Sequence, residues 1–113
     1  LPVPRRRATT ARMMVVVFRN RLRAGVEAEY GERAEQSYQL ALGMPGLASS
    51  KDFVAEDGER LTIVEFRSAE ELAAWRNHHE HQAAQRQGRE HFYEEYSLQV
   101  CELVRESRFQ RQP

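Results

Sequence analysis

The chain has 113 residues, of which 41% are hydrophobic, enough for one modest core but not for two independent ones. Its formal net charge is zero, but Arg5, Arg6, Arg7 and Arg12 give residues 1–12 a charge of +4, so the remainder carries −4. A slightly acidic body argues against a nucleic-acid-binding domain, because neutralising phosphates requires a basic surface.

The ends of the chain and its cysteine content indicate where the protein works. No apolar run approaches the roughly 20 residues of a membrane span, and residues 1–12 lack the apolar segment of a signal peptide. The single cysteine, Cys101, excludes an internal disulfide and a cysteine-cluster zinc site. We therefore predict a cytoplasmic protein with no membrane partner. Residues 1–12 are interpreted as a disordered arm or a cloning remnant, with a basic partner-binding arm as the alternative, and residues 105–113 as a polar tail ordered only against a partner.

Residues 13–23 alternate between two faces, as expected of a half-buried strand. One face turns from valine to arginine, and the other is apolar except for Asn20. A buried amide that lacks hydrogen bonds costs about 1–3 kcal/mol. Asn20 therefore either satisfies backbone groups or serves a ligand cavity. The apolar face consists of Val16, Phe18, Asn20 and Leu22.

A helix is predicted over residues 26–42, ended by Gly43 and Pro45. Apolar and small residues recur at three- and four-residue spacing, which predicts one buried stripe opposite a face rich in glutamate. The stripe contains Val26, Tyr30, Ala34, Ser37, Tyr38, Ala41 and Leu42.

Two further strands are predicted over 46–56 and 60–67, joined by a hairpin turn in which Gly58 can take a positive φ. Residues 96–104 alternate again and form the fourth strand. We interpret Cys101, in this last strand, as a small buried hydrophobe rather than a nucleophile.

Two helix starts lie between the third and fourth strands. Ser68 with Glu71, and Asn77 with Glu80, have the spacing of capping boxes. They predict a short helix, a break near residues 76–77 and a second helix at a new angle. Trp75 and either His79 or His81 could then point into one pocket from the two sides of the break.

The resulting order is β-α-β-β-α-β, which predicts an α+β, ferredoxin-like subunit with a four-stranded antiparallel sheet. Both helices would cover one face of the sheet. The other face, to which we assign part of the Val16, Phe18, Asn20 and Leu22 set, then needs its own cover. Self-association into a homodimer is the economical solution.

The strand and helix order and the segment WRNHHEHQAAQRQGREHFYEEYSLQV, residues 75–100, resemble the antibiotic biosynthesis monooxygenase (ABM) family. The resemblance covers about residues 13–104 and implies a dimeric α+β barrel. It also implies a cofactor-independent oxygenase that acts on a small aromatic, anthrone or quinol-like ligand. In that interpretation Asn20 and Trp75 position the substrate, and His81 or His79 is the base. The remaining predicted contacts are Phe18, Gln85, Phe92, Tyr93 and Tyr96.

Two alternatives stay open beside this interpretation. The haem-degrading branch of the family combines a strand Asn, a helical Trp and a ligating His about ten residues after the Trp. Asn20 and Trp75 fit that pattern, but Gln85 stands where the His is expected, and His81 lies one turn earlier. The other alternative is a non-enzymatic ligand-binding dimer on the same fold. We predict no metal site, because adjacent histidines at a helix start point in different directions.

Overall fold

The computed structural model describes residues 12–112 and confirms the ferredoxin-like α+β subunit with the predicted order of elements. A single π-helical turn, called the π turn, follows the last α-helix. The bounds are β1 Met14–Leu22, α1 Glu27–Leu42, β2 Leu47–Val54, β3 Arg60–Phe66, α2 Ala69–Arg76, α3 His79–Gln87, the π turn Gly88–Phe92 and β4 Tyr93–Glu102.

The sheet has the strand order β2-β3-β1-β4, and every neighbouring pair is antiparallel. Val16 of β1 lies beside Val64 of β3 and Val100 of β4, so one apolar row crosses the three strands. The hairpin between β2 and β3 contains Gly58 at φ 91°, as predicted. This arrangement puts the two longest strands, β1 and β4, side by side.

The assignment of sheet faces was wrong for β1. Val16 and Phe18 lie on the face covered by the helices, where they share a cavity with Trp75. The uncovered face carries Arg19 and Arg21, which form ion pairs with the β2–β3 turn. The helices exclude water only from the face that carries Val16 and Phe18. Arg19 and Arg21 lie on the other face, where their guanidinium groups stay hydrated.

The compact core lies where α2 packs on β3. Phe66 is fully buried, and Leu72 and Trp75 of α2 are 6% and 8% exposed. The start of α2 is as predicted, because the backbone N–H of Glu71 donates to the Oγ of Ser68 at 3.1 Å. The core also includes Met14, Val16 and Ala41.

The break between α2 and α3 is confirmed, but its cap is one residue later than predicted. Asn77 still has helical dihedrals and ends α2, its N–H donating to the carbonyl of Ala73. His78 is the extended residue, and its Nδ1 accepts the backbone N–H of Glu80 at 3.2 Å. An N-cap requires extended backbone, which here falls on the histidine.

β4 begins at Tyr93, three residues before the predicted start, because the π turn ends at Phe92 and leads directly into the strand. Gly88 makes this possible: a Cβ there would collide with the ring of Tyr93. Cys101 is exposed on β4, so its predicted burial was wrong.

The two ends of the chain differ in how much is described. The predicted arm at 1–12 falls almost wholly outside the described residues. Residues 105–112 contain no helix or strand, and Phe109 is 82% exposed. None of the helices within 12–112 is long and apolar enough to cross a membrane.

Candidate functional site

A cavity of about 420 Å³ lies between the helices and the covered face of the sheet, and we call it the α1 cavity. Its volume is within the range of small-molecule sites. It exists because α1 presents short side chains to the sheet, so that helix and strands do not close on each other. Ala34 and Ser37 are the small residues of this wall, and Tyr30 and Tyr38 flank them.

The sheet forms the floor of the α1 cavity. The part of this floor that belongs to β4 is open to solvent. Tyr96, Leu98 and Val100 line the cavity, yet they are 43%, 46% and 45% exposed. A large apolar side chain with nearly half of its surface in water is unusual in a row of three. This side of the cavity is where a ligand or a second protein surface would exclude water.

An aromatic cluster built around Tyr93 forms one end of the α1 cavity. The ring centre of Tyr93 lies 5.4 Å from that of Phe18, 5.6 Å from that of Tyr96 and 5.8 Å from that of Tyr30. Its hydroxyl donates to the hydroxyl of Tyr30 at 3.5 Å. Burial, with a smaller contribution from Tyr30, raises the pKa of Tyr93, so the hydroxyl keeps its proton and remains a hydrogen-bond donor.

Trp75 and His81 meet across the break between α2 and α3, which is one of the two pairings that the sequence predicted. Their ring centres are 4.0 Å apart at an interplanar angle of 30°. Burial, with a smaller contribution from His78, lowers the pKa of His81 to about 4, so the imidazole is neutral at neutral pH. Its Nδ1 is buried and has no hydrogen-bond partner among residues 12–112. A neutral imidazole in an apolar wall can accept a proton from a bound molecule.

Asn20 lies at the far end of β1 and is 2% exposed. Neither atom of its amide has a hydrogen-bond partner in the described part of the chain, so the expectation that it satisfies backbone groups is not met. Asn20 is also not among the residues that line the α1 cavity. Its predicted role in positioning a substrate stays a prediction.

Most of the other predicted site residues lie together in the lining of the α1 cavity. His79 does not: it is exposed at the start of α3 and stacks on His78, with ring centres 5.2 Å apart. Phe18, Trp75, His81, Gln85, Phe92, Tyr93 and Tyr96 all line the α1 cavity.

Three sets of lining residues were not predicted from the sequence. The α1 stripe was taken as packed core, although its small and hydroxyl-bearing members are typical of a cavity wall. Asp52 of β2 also lines the cavity and accepts a hydrogen bond from the Thr62 hydroxyl at 2.6 Å. Three arginines complete the set, and no spacing signal distinguishes them from other surface arginines: Arg33, Arg76 and Arg89.

The residues present fit a haem iron poorly. Gln85 lines the α1 cavity at the position ten residues after Trp75, and an amide is a poor iron ligand. His81 is the only imidazole in the lining, and its ring is packed against the indole of Trp75. Within residues 12–112, no group of three or more His, Cys, Asp or Glu side chains could hold a metal ion.

Comparison with known proteins gives a family and a fold. Residues 13–87 match the family model described as antibiotic biosynthesis monooxygenase. The chain is 37% identical over 81 residues to the uncharacterized Bacillus subtilis protein YqjZ, covering 72% of this chain and 71% of YqjZ.

Two solved structures share the fold at low sequence identity. Rv0793 from Mycobacterium tuberculosis superposes with a TM-score of 0.76 at 16% identity, covering 85% of this chain and 99% of Rv0793. SnoaB from Streptomyces nogalater, described as a cofactor-independent oxygenase, superposes with a TM-score of 0.73 at 12% identity, covering 86% of this chain and 97% of SnoaB.

Proposed function

The chain belongs to the antibiotic biosynthesis monooxygenase family, and from this premise we propose that it oxidises a small aromatic compound, of the anthrone or quinol type, with O₂ and without a cofactor. The observation that carries the proposal is the α1 cavity itself. It combines flat aromatic walls with one half-buried neutral imidazole and one half-buried protonated phenol. SnoaB, which shares the fold, is a cofactor-independent oxygenase.

The reaction balances without a reductant. Removal of one proton from the ring CH₂ of an anthrone leaves an electron-rich anion that adds O₂ to form a hydroperoxide. Loss of water from the hydroperoxide then forms the second carbonyl of the quinone. One oxygen atom enters the product, and the other leaves as water with both hydrogens of the CH₂ group. The substrate supplies all the electrons, so the protein has to bind, deprotonate and shield it.

The side chains suggest how the work is divided. Phe18 and Trp75 hold the flat rings, His81 accepts the proton because it is neutral, and Tyr93 donates to the developing oxyanion because it keeps its proton. A base with a low pKa provides little driving force, so a general-base contribution of about 10²-fold, at the low end of the usual range, is expected for His81.

We place a second copy of the chain on the uncovered face of the sheet, forming the homodimer predicted from the sequence. Proteins of this family are typically dimeric. The uncovered face carries Val15, Val17 and Ile63 in adjacent register positions, together with exposed Cys101.

Oxygen uptake by chelator-treated protein tests the proposal. The substrate is dithranol, a neutral dihydroxyanthrone, and the product is identified by mass spectrometry. We expect one O₂ consumed per quinone formed, and a His81→Gln variant about 100-fold slower in kcat. His79→Gln is the matched control, because it removes an exposed imidazole outside the cavity. Uptake no faster than in buffer with dithranol and related quinols would contradict the proposal.

Haem binding remains the second candidate, favoured only by the imidazole of His81 in the cavity wall. Haemin is titrated into the purified protein and followed by visible absorption, with His81→Ala as the control. A stoichiometric Soret shift that the variant abolishes would favour haem, with His81 in place of the usual ligand. An unchanged spectrum removes that candidate and leaves the cofactor-free oxygenase and the simple ligand-binding dimer, which the oxygen-uptake result separates.

A further inference from the structure

Positive charge is concentrated on the lining of an otherwise apolar cavity. Arg33 comes from α1, Arg76 from the end of α2 and Arg89 from the π turn, so three separate elements each contribute an arginine to the lining. Asp52 is the one acidic residue in the lining, and His81 is neutral, which leaves a net charge of +2 (three arginines minus one carboxylate). The body of the chain is acidic, so this excess is local.

The hydrogen bonds of the lining residues identify which charges are free. Arg33 donates to the side-chain oxygens of Gln87, at 2.6 Å, and Gln36, at 2.9 Å. The guanidinium groups of Arg76 and Arg89, by contrast, have neither a hydrogen-bond partner nor an ion-pair partner among residues 12–112. Their guanidinium groups are therefore free to bind an anion beside the cavity.

The two arginines flank the aromatic residues along the chain. Arg76 directly follows Trp75, and Arg89 precedes Phe92 by three residues, with both aromatic rings in the lining. Both arginines and both rings therefore belong to the lining of one cavity. A guanidinium binds a carboxylate through two parallel hydrogen bonds, which fixes orientation as well as charge.

We propose that the substrate of the α1 cavity is a flat aromatic carboxylate whose anionic group is bound by Arg76 and Arg89 while its rings lie against Trp75 and Phe18. This rests on the proposed function, because it names the substrate class of the same cavity. It differs from stabilisation of the reactive anion alone, since the carboxylate is present before any proton is removed.

A direct binding measurement distinguishes a carboxylate on the ligand from the anion that forms during the reaction. Anthraquinone-2-carboxylate and anthraquinone-2-carboxamide are already oxidised, so neither can form the reactive anion, and they differ only in charge at one edge. Trp75 is the only tryptophan, so quenching of its fluorescence reports binding in the cavity. Titrations are made with the full chain at low salt and at physiological salt.

We expect the carboxylate to bind about 10- to 100-fold more tightly than the carboxamide. The Arg76→Gln/Arg89→Gln double variant should lose that preference and keep the affinity for the carboxamide. Both side chains are exposed, so the fold should tolerate the change. Arg86→Gln, which neutralises an exposed arginine of α3 outside the lining, is the matched control and should keep the preference.

Equal affinities for the two probes in the native protein, an unchanged preference in the double variant, or no binding of either probe would each overturn the proposal. The outcome is separable from that of the oxygenase. Equal probe affinities together with O₂ uptake on neutral dithranol reject the carboxylate and keep the enzyme. A preference that depends on Arg76 and Arg89, without O₂ uptake on any anthrone, keeps the anion site and rejects the oxygenase.

Discussion

The helices α1 and α2 cover the same face of the sheet and have similar apolar stripes, but only α2 packs closely against the strands. α2 closes on β3, and Leu72, Trp75 and Phe66 are almost completely buried between them. α1 has an equally clear inward stripe, but its centre is Ala34 and Ser37, and a cavity of about 420 Å³ remains beneath it. Side-chain volume, rather than the spacing of the stripe, decides whether a helix forms core or a cavity wall.

The polar tips of the α1 stripe point to the same conclusion. Tyr30 and Tyr38 each have a hydroxyl that a dry core would have to satisfy, and the Tyr30 hydroxyl accepts a long hydrogen bond from that of Tyr93, at 3.5 Å. Hydroxyl groups beside aromatic surface suit a site that binds flat, polar-edged molecules. Stability is therefore expected to depend on the α2 side, and ligand binding on the α1 side.

The largest effect should come from truncating the α2 core. Phe66→Ala removes a fully buried ring and should lower the free energy of unfolding by about 3–5 kcal/mol. Tyr38→Ala on α1 should cost less than about 1 kcal/mol, because Tyr38 is 40% exposed and faces the cavity. Urea denaturation of the two variants measures the difference. Equal decreases in the free energy of unfolding would contradict the distinction between the packed α2 side and the open α1 side.

A smaller effect is expected where the core meets the cavity. Gly88→Ala places a methyl group against the ring of Tyr93, and relief requires the ring or the π turn to shift. Overpacking of this kind costs about 1–3 kcal/mol, and the displaced ring should also weaken binding in the cavity. Thermal unfolding and a ligand titration measure the two effects. A variant with wild-type values in both would show that the close approach is not needed.

The half-buried imidazole of His81 predicts a dependence of stability on pH. The pKa of His81 is about 4 in the folded chain and 6.5 in the reference state, so between these values the unfolded chain binds the extra proton. Stability from this residue is complete above pH 6.5 and decreases as the pH falls towards 4. After allowance for partial solvent exposure, the loss is about 1–2 kcal/mol.

His81→Gln should remove this part of the pH dependence, and His79→Gln should keep it. Denaturation of the three proteins at pH 7 and pH 4.5 isolates the contribution, since the other titrating groups are shared. Identical pH dependence in wild type and His81→Gln would mean that the imidazole is solvated rather than buried against Trp75.

The smallest effect concerns how the two helices begin. α2 has a side-chain cap, since Ser68 accepts the N–H of Glu71, whereas α1 begins after Val26 without one. Ser68→Ala should cost about 1 kcal/mol. Ser68→Asp is the matched control and should retain most of the stability, which thermal unfolding can show. If Ser68→Ala leaves the melting temperature unchanged, tertiary packing alone determines where α2 begins.

Much of the fold follows from the sequence because strands and helices have different periods. The alternation in β1 and β3 and the cap at Ser68 fixed the order of elements. The wrong predictions lie where the spacing of residues along the chain is compatible with two local structures. Asn77 and His78 are adjacent potential caps, and the backbone selects the one that extended geometry permits. Alternation also does not state which face the helices cover.

The candidate site was only partly predictable. Trp75 was expected to meet either His79 or His81 because a helix break lies between them, and it is the ring of His81 that contacts the indole. The α1 wall was missed because small residues in a stripe usually indicate close packing. Arg76 and Arg89 carried no signal, since their common feature is position in space rather than spacing along the chain.

If the space beneath α1 is the site of chemistry, a side chain that fills this space should stop the reaction. Oxygen uptake with dithranol is measured for wild type and for Ala34→Phe, whose new ring would occupy the cavity from α1. We expect oxygen uptake by Ala34→Phe to fall to the uncatalysed rate while its melting temperature stays within a few degrees of wild type, because the α2 core is untouched. A folded Ala34→Phe variant with wild-type oxygen uptake would mean that the reaction takes place elsewhere.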